Sequence, residues 1–205
     1  MQEATAEVFP LPLLAERLPG PPPASLDPVL DATEVCVVRH GLAKTSLSDI
    51  ARELGVAPST VYRKVGSVEN AAMLVMAREG HRLMQALPDI IEGVEGPRAI
   101  TVFLAAAIER IGGHPLAAKV LHDEIDWMGR LATARLEDLL ADSAARSRPL
   151  LEAAMAAGTI RRQDPELLAH WIARIGMSCL LAPPPGDLQA ALDALLLPVL
   201  APDPT

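Results

Sequence analysis

An all-α protein, with a small amino-terminal helical domain followed by a larger helical body, is what this sequence predicts. Apolar residues recur at i, i+3, i+4 and i+7 along most of the chain, and no run alternates apolar and polar residues as a half-buried strand does. Capping residues, glycines and prolines punctuate these periodic runs at intervals of a helix length, and no repeat of fixed period is visible. The 205 residues are half hydrophobic, enough for one large domain or two small ones to fill a core.

The elements follow in order. Pro19-Gly20-Pro21-Pro22-Pro23 cannot be helical and sets off an arm, residues 1–26, from the rest. Residues 8–18 of that arm are apolar around Glu16-Arg17, so docking on the body and a free terminus both remain open, and the Lys and Arg of a minor-groove arm are missing. Asp27-Pro28 reads as an N-cap and a first helical residue, after which Val29, Thr33, Cys36, Val37 and His40 form one face. Leu47, Ile50, Ala51 and Leu54 then make an apolar stripe on a short helix that Ser46 or Thr45 caps and Gly55 stops. Past Val56-Ala57, Pro58 suits the first turn of a further helix, with Val61 and Val65 on its inner side.

That last pair is a helix-turn-helix whose second helix turns Ser59, Thr60, Tyr62, Arg63 and Lys64 outward. Hydroxyls and cations on a short exposed helix suit a DNA major groove, the hydroxyls meeting base edges and the cations phosphates. From Val29 to Met76 the chain resembles the amino-terminal domain of the TetR (tetracycline-repressor) family: a first helix ending at Gly41, then Thr45-Ser46-Leu47-Ser48-Asp49-Ile50-Ala51, Gly55-Val56, Thr60-Val61-Tyr62 and Ser67-Val68-Glu69-Asn70-Ala71. The resemblance implies that Thr45 and Ser46 lie at the DNA backbone, that Pro58, Ser59 and Thr60 sit near bases, and that Tyr62, Arg63 and Lys64 reach phosphates or base edges, with Ser48 a further DNA-binding residue. The family usually has Phe at Val65, Pro at Gly66 and Lys at Val68. The missing cation at Val68 implies one phosphate contact fewer and a flatter salt dependence.

A net charge of −8 argues against a nucleic-acid partner until its distribution is read: residues 1–26 carry −2, residues 27–66 are neutral, and residues 67–205 carry −6. Within residues 44–66, Lys44, Arg52, Arg63 and Lys64 outnumber Asp49 and Glu53. The acidity therefore sits outside the reading head, an arrangement that favours orientation over raw affinity.

Ser67 caps a longer connecting helix with Val68, Ala71, Ala72, Val75, Met76, Leu83 and Leu87 on one side, ending near Pro88. Further helices are expected at Arg98 to Ile111, after Pro115, from about Asp126 to Ala157 with Pro149 as a kink or restart, at Pro165 to Leu181 and at Leu188 to Leu200. This divides the chain into an arm at 1–26, a DNA-binding domain at 27–66, and an effector-binding and dimerisation domain at 67–205. In the body, Met84, Phe103, Ala107, Arg110, Trp127, Met128 and Leu131 are candidate effector contacts, with core packing as the alternative for each. Arg110 either anchors a ligand or pairs with an acid, and His114 either anchors or caps. Aromatics at 2% of the chain favour a flexible aliphatic pocket and a hydrophobic effector. The last two helices are apolar on more than one side, so Trp171, Ile172, Ile175, Cys179, Leu188, Leu192, Leu195 and Leu196 read as a homodimer seam across a two-fold axis, with two helices interior to a monomer as the alternative.

No Gly-rich phosphate loop, Gly-x-Ser-x-Gly elbow or metal-spaced ligand pair is present, so neither an enzyme, a cofactor nor a metal is expected. His114, His122, Asp123, Glu124 and Asp126 could hold a metal, with a solvated helix end as the simpler reading. Cys36 and Cys179 read as buried reduced thiols. No stretch approaches the roughly 20 apolar residues of a membrane span and no secretory leader is evident, which makes the cytoplasm the expected compartment. The expectation is thus a dimeric transcription regulator, repressing by default, in which an effector tilts the connecting helix and respaces the heads on a palindromic operator. The alternative is a helical small-molecule binding or interaction protein without specific DNA binding.

Overall fold

The computed structural model describes residues 21–124, 129 and 136–202. Its α-helices are α1 (Asp27–His40), α2 (Leu47–Leu54), α3 (Pro58–Val65), α4 (Val68–Gln85), α5 (Leu87–Ile90), α6 (Arg98–Gly113), α7 (Pro115–Asp123), α8 (Leu136–Ala156), α9 (Pro165–Leu181) and α10 (Leu188–Leu200). A 3-10 turn, Ala24–Leu26, leads into α1, and no strand occurs among the described residues. No helix among them is long and apolar enough to cross a membrane. These residues fall into two compact units, the first built from 21–84 and 110–124 with the isolated 129 and 136, the second from 85–109 and 137–202.

In the first unit, α1, α2 and α3 close on a core of Leu30, Val37, Ile50 and Val61, each essentially free of solvent contact. The start of α4 adds Val68, Ala71, Ala72 and Val75, and α7 adds Leu116 and Val120, so this core draws on more chain than residues 27–66. The ends of α2 are fixed locally. The Ser46 hydroxyl accepts from the Asp49 amide at 3.2 Å while the Asp49 carboxylate accepts from the Ser46 amide at 3.0 Å, and Gly55 closes the helix at φ 68°. Thr33 sits fully buried on α1 because its hydroxyl donates to the Val29 carbonyl at 2.7 Å. Asp27 is not the N-cap of α1: Leu26 occupies that position after the 3-10 turn, and the Asp27 carboxylate instead accepts from Arg78 at 3.3 Å.

The second unit packs Ala105 and Ile108 of α6 with Ala144, Leu151, Ala154 and Met155 of α8, Leu168, Ala169 and Ile172 of α9, and Leu192, Leu196 and Leu200 of α10. Asp164 caps α9 by accepting from the amides of Glu166 and Leu167, and Asp187 caps α10 through the Ala190 amide. Gly176 lets α9 approach α6 closely, since a Cβ there would lie 3.3 Å from Leu104. Pro149 neither ends nor restarts α8, which runs through it as one element. The proline ring forfeits one backbone hydrogen bond, and the apolar neighbours Leu150 and Leu151, both buried, hold the helix together across the gap.

Two adjacent charges on α4 are buried in the first unit, and each is matched. Arg78 lies 2.8 Å from Asp31, 3.3 Å from Asp27 and 3.9 Å from Glu34 of α1. Glu79 accepts from Arg110 at 2.6 Å and from Arg82 at 3.3 Å. Burial alone would push the Glu79 carboxyl up, but the hydrogen bond and charge of Arg110, helped by Arg82 and His114, hold it below the ordinary range. Because this folded-state value is depressed, the pairing stabilises the protein above the ordinary glutamate range, and the contribution is lost as pH falls through the folded value. Arg110→Met should therefore cost about 1–2 kcal/mol near neutral pH, a figure lowered by the solvent exposure of Arg110. Urea melts should show that deficit shrinking toward about pH 4, where Glu79 protonates in the variant first. An equal deficit at both pH values would show that the charge pair is not its source.

Candidate nucleic-acid interface

α3 is eight residues long and buries only Val61 and Val65. A helix this short gains little from its own hydrogen bonds, so its orientation is set by where those valines dock. With both in the core beneath α1 and α2, the side chains of Pro58, Ser59, Tyr62, Arg63 and Lys64 emerge on the outside, and Thr60 lies at the edge, half-buried. Tyr62 is the most open of the large apolar and aromatic residues described, 63% exposed. The turn is held by the Val56 amide donating to the Ala51 carbonyl at 3.0 Å and the Gly55 amide to that of Arg52 at 3.2 Å.

The expected DNA-facing residues separate into groups. Ser48, Pro58, Ser59, Tyr62 and Arg63 are exposed. Ser46 is exposed but engaged as the cap of α2, its hydroxyl donating to Asp49 at 2.6 Å. Thr45 departs from its expected place at the DNA backbone: it is buried, and its hydroxyl donates to the Gly41 carbonyl at 2.7 Å, with the Cys36 carbonyl 3.3 Å away. It closes the link between α1 and α2 instead. The Lys64 ammonium donates to the Ser25 carbonyl at 2.8 Å.

Charge around the face is ordered in the same way. Arg52 pairs with Asp49 at 2.9 Å and Arg39 with Glu53 at 3.3 Å. Hydrogen bonds from the hydroxyl and amide of Ser46, with help from Arg52, hold the Asp49 carboxyl below its usual range, so it stays ionised as the capping acid. α3 itself carries no acidic residue, and its two cations fall in its last turn. Val68, where a lysine is expected from the resemblance, is buried at the start of α4 and contributes to the core.

The remaining candidates are placed as follows. Trp127, Met128 and Leu131 lie outside the described residues. Met84 in the first unit, and Phe103 and Ala107 in the second, are half-buried. Arg110 is engaged by Glu79, and His114 stands at the N-cap position of α7 without a side-chain cap, its Nε2 3.6 Å from Glu34. An open groove of about 570 Å³ lies against Asp31, Glu34, Val35, Val38, Arg39 and Pro115, none of them among the expected effector contacts. Near the end of α7, Lys119 pairs with Asp123 and His122 Nδ1 lies 2.8 Å from the Ala118 carbonyl; Asp126 is outside the described residues. Among the described residues no cluster of His, Cys, Asp and Glu could hold a metal ion. Both cysteines are free, and burial raises both thiol pKa values.

Of the expected seam, Trp171 and Leu195 are exposed, and Ile175, Cys179 and Leu188 are half-buried. Ile172, Leu192 and Leu196 depart from the expected seam and face inward, in the core of their own unit. Beside Trp171 and Leu195, the large apolar residues left exposed on these helices are Leu167 and Leu181 on α9 and Val199 on α10. The spacing of Leu167 to Trp171 and of Leu195 to Val199, one turn in each helix, is the signal that could have found them.

Residues 29–67 match the family described as bacterial regulatory proteins, tetR family. Uncharacterised HTH-type transcriptional regulators of Mycobacterium tuberculosis and Mycobacterium bovis are each 28% identical over 153 residues, covering 73% of this chain and 77% of theirs. Among solved structures, a TetR-family transcriptional regulator from Pectobacterium atrosepticum superposes with a TM-score of 0.64 at 18% identity, over 87% of this chain and 96% of that one. The TetR family repressor AlkX from Dietzia, implicated in biodegradation of n-alkanes, gives 0.60 at 21% identity, over 86% and 93% of the two chains. At these identities the two structures speak for the fold. For the interface, Arg63→Ala should weaken operator binding by about 1–3 kcal/mol if the guanidinium makes a bidentate base contact, with the melting temperature unchanged. Tyr62→Phe should weaken it by less. Unaltered binding by both variants would remove these residues from the interface.

Proposed function

The chain belongs to the tetR family of bacterial regulatory proteins by its amino-terminal domain, and on that premise we propose how this DNA-binding transcriptional regulator, which is not an enzyme, works. It acts as a homodimeric repressor that leaves a near-palindromic operator when a small hydrophobic effector binds in the helical body. The observation that carries this reading is α3 itself, with Val61 and Val65 in the core and Ser59, Tyr62 and Arg63 facing out. In the proposed division of labour, residues 27–66 read DNA and residues 67–205 bind effector and partner.

The dimer is supported by the row of Leu167, Trp171, Leu181, Leu195 and Val199, all large, apolar and exposed. Burying a side chain of this kind gains roughly 1.5–3 kcal/mol, and a two-fold axis lets one row cover its own copy. Two copies of α3 on that axis would meet half-sites one helical turn apart, about 34–36 Å, or a multiple of it. An aliphatic effector is favoured by a body rich in Leu, Ala and Met in a chain that is only 2% aromatic. Linkage fixes the switch: an effector that prefers the DNA-incompatible spacing weakens DNA binding by the factor by which DNA weakens effector binding.

Selection from random duplexes tests the reading. It should enrich an inverted repeat, and Trp171→Asp combined with Leu195→Asp should yield a monomer in sedimentation that loses operator affinity while keeping its helical circular dichroism. If no duplex is enriched, the chain is a helical binding or interaction protein that does not read sequence. If the double variant stays dimeric, the seam lies elsewhere.

A further inference from the structure

α3 is held to the head by very little. Val61 and Val65 stand one turn apart on a single side, and its N-cap residue, Ala57, offers no side-chain cap. Two apolar contacts in line fix how close the helix lies; they resist rolling about that line weakly. Polar ties gather at its carboxyl end. The Val65 carbonyl, left open where Gly66 ends the helix at φ 73°, accepts from the Asn70 side-chain amide at 2.8 Å and from the Ser67 amide at 2.8 Å. Asn70 is itself anchored, its backbone amide donating to the Ser67 hydroxyl at 3.1 Å.

On the other side, Lys64 reaches across 39 positions of sequence to the Ser25 carbonyl, 2.8 Å away. That acceptor is well fixed. It lies in the 3-10 turn where the Leu26 amide donates to the Pro23 carbonyl at 2.8 Å and the Asp27 amide to that of Ala24, and Leu26 packs against the core of the head. A lysine bonded to a carbonyl is a charge-assisted contact. Lys64 is adjacent to Val65 in the helix, so the tie acts off the valine line, where it opposes rolling.

We propose that Lys64 is a positioning residue for the reading helix and not a DNA contact: Lys64 on Ser25 and Asn70 on Val65 form a two-sided brace that sets the roll of α3 in the groove. The turn Ala24–Leu26 is thereby part of the reading head. This rests on the DNA-reading role of α3 proposed above. It also assigns the two neighbouring cations different work, leaving Arg63 to face the duplex.

The full-length chain, the inverted repeat recovered by selection, and a random duplex of equal length provide the test. Lys64→Met should lower affinity for the inverted repeat by roughly a hundredfold, the lower range for one base contact put out of register in each of the two heads. Affinity for the random duplex and the slope of log affinity against log salt should not change. Asn70→Ala should give the same signature, and adding Lys64→Met to it should cost less than Lys64→Met alone. Lys64→Arg, which keeps a donor of similar reach, should restore most of the discrimination, and matching melting temperatures exclude unfolding. A phosphate contact behaves differently: Lys64→Met would weaken both duplexes alike and reduce the salt slope by about 0.9 for each of the two heads bound. That result, or no change in any of these quantities, overturns the brace. Failure of the unsubstituted chain to enrich any duplex overturns the DNA-reading role and the brace together.

Discussion

The docking of Val61 and Val65 into the amino-terminal core is the constraint on which the rest depends. α3 is too short to hold itself, and its sequence offers apolar side chains on one side alone. Once that side is committed to Leu30, Val37 and Ile50, the hydroxyls, the phenol and the cations have one direction left. Exposure of Ser59, Tyr62 and Arg63 is thus a consequence of packing. It needs no separate signal in the sequence beyond the period of the valines. The core that receives them is also fed by α4 and by Leu116 and Val120 of α7, so the posture of α3 depends on residues far along the chain.

Electrostatics follow from the same economy of faces. A chain of net charge −8 can approach a polyanion only if its acids are turned aside or matched near the contact. Asp27, Asp31 and Glu34 of α1 gather around the buried Arg78, Asp49 serves the cap of α2, and Glu53 meets Arg39. None of these acids is on α3. Each is held by a cation or an amide that would otherwise need another partner. The acids of the head are therefore turned to partners of their own, three of them to Arg78 beyond its end, and a cation-bearing face stands clear of them.

What the sequence made legible was local. Gly55 and Pro58 bracket the turn between α2 and α3, a hydroxyl at Thr45 or Ser46 marks the start of α2, and the valine spacing gives the inner side of α3, each read within four residues. What it hid was long-range. Thr45 reads as an exposed hydroxyl beside Ser46, and only the approach of the Gly41 and Cys36 carbonyls draws it inside. Asp27 reads as a cap until Arg78, 51 positions on, takes its carboxylate. Lys64 reads as a free cation until Ser25 is brought beside it. The inner members of the seam were hidden for a related reason: α9 and α10 are apolar on more than one side, and period alone does not say which side meets the protein's own core, so Ile172 and Leu196 read like Trp171 and Leu195.

Those apolar helices bear on why such a small reading element suffices. An eight-residue helix with Ser59, Tyr62 and Arg63 outward has room for two or three base or phosphate contacts, and contacts of this kind discriminate by about 1–3 kcal/mol each. That is too little to find one site among the many competing sequences of a genome. Joining two copies makes the second encounter intramolecular, and the discrimination of the two heads then adds in free energy. In the dimer we propose, the row from Leu167 to Val199 would hold the copies together through apolar contact, which has no directionality and little sensitivity to salt. Spacing between the heads would then become the quantity on which specificity turns, because both can engage only when it matches the operator. A ligand that alters the spacing need not touch the reading face to dislodge it.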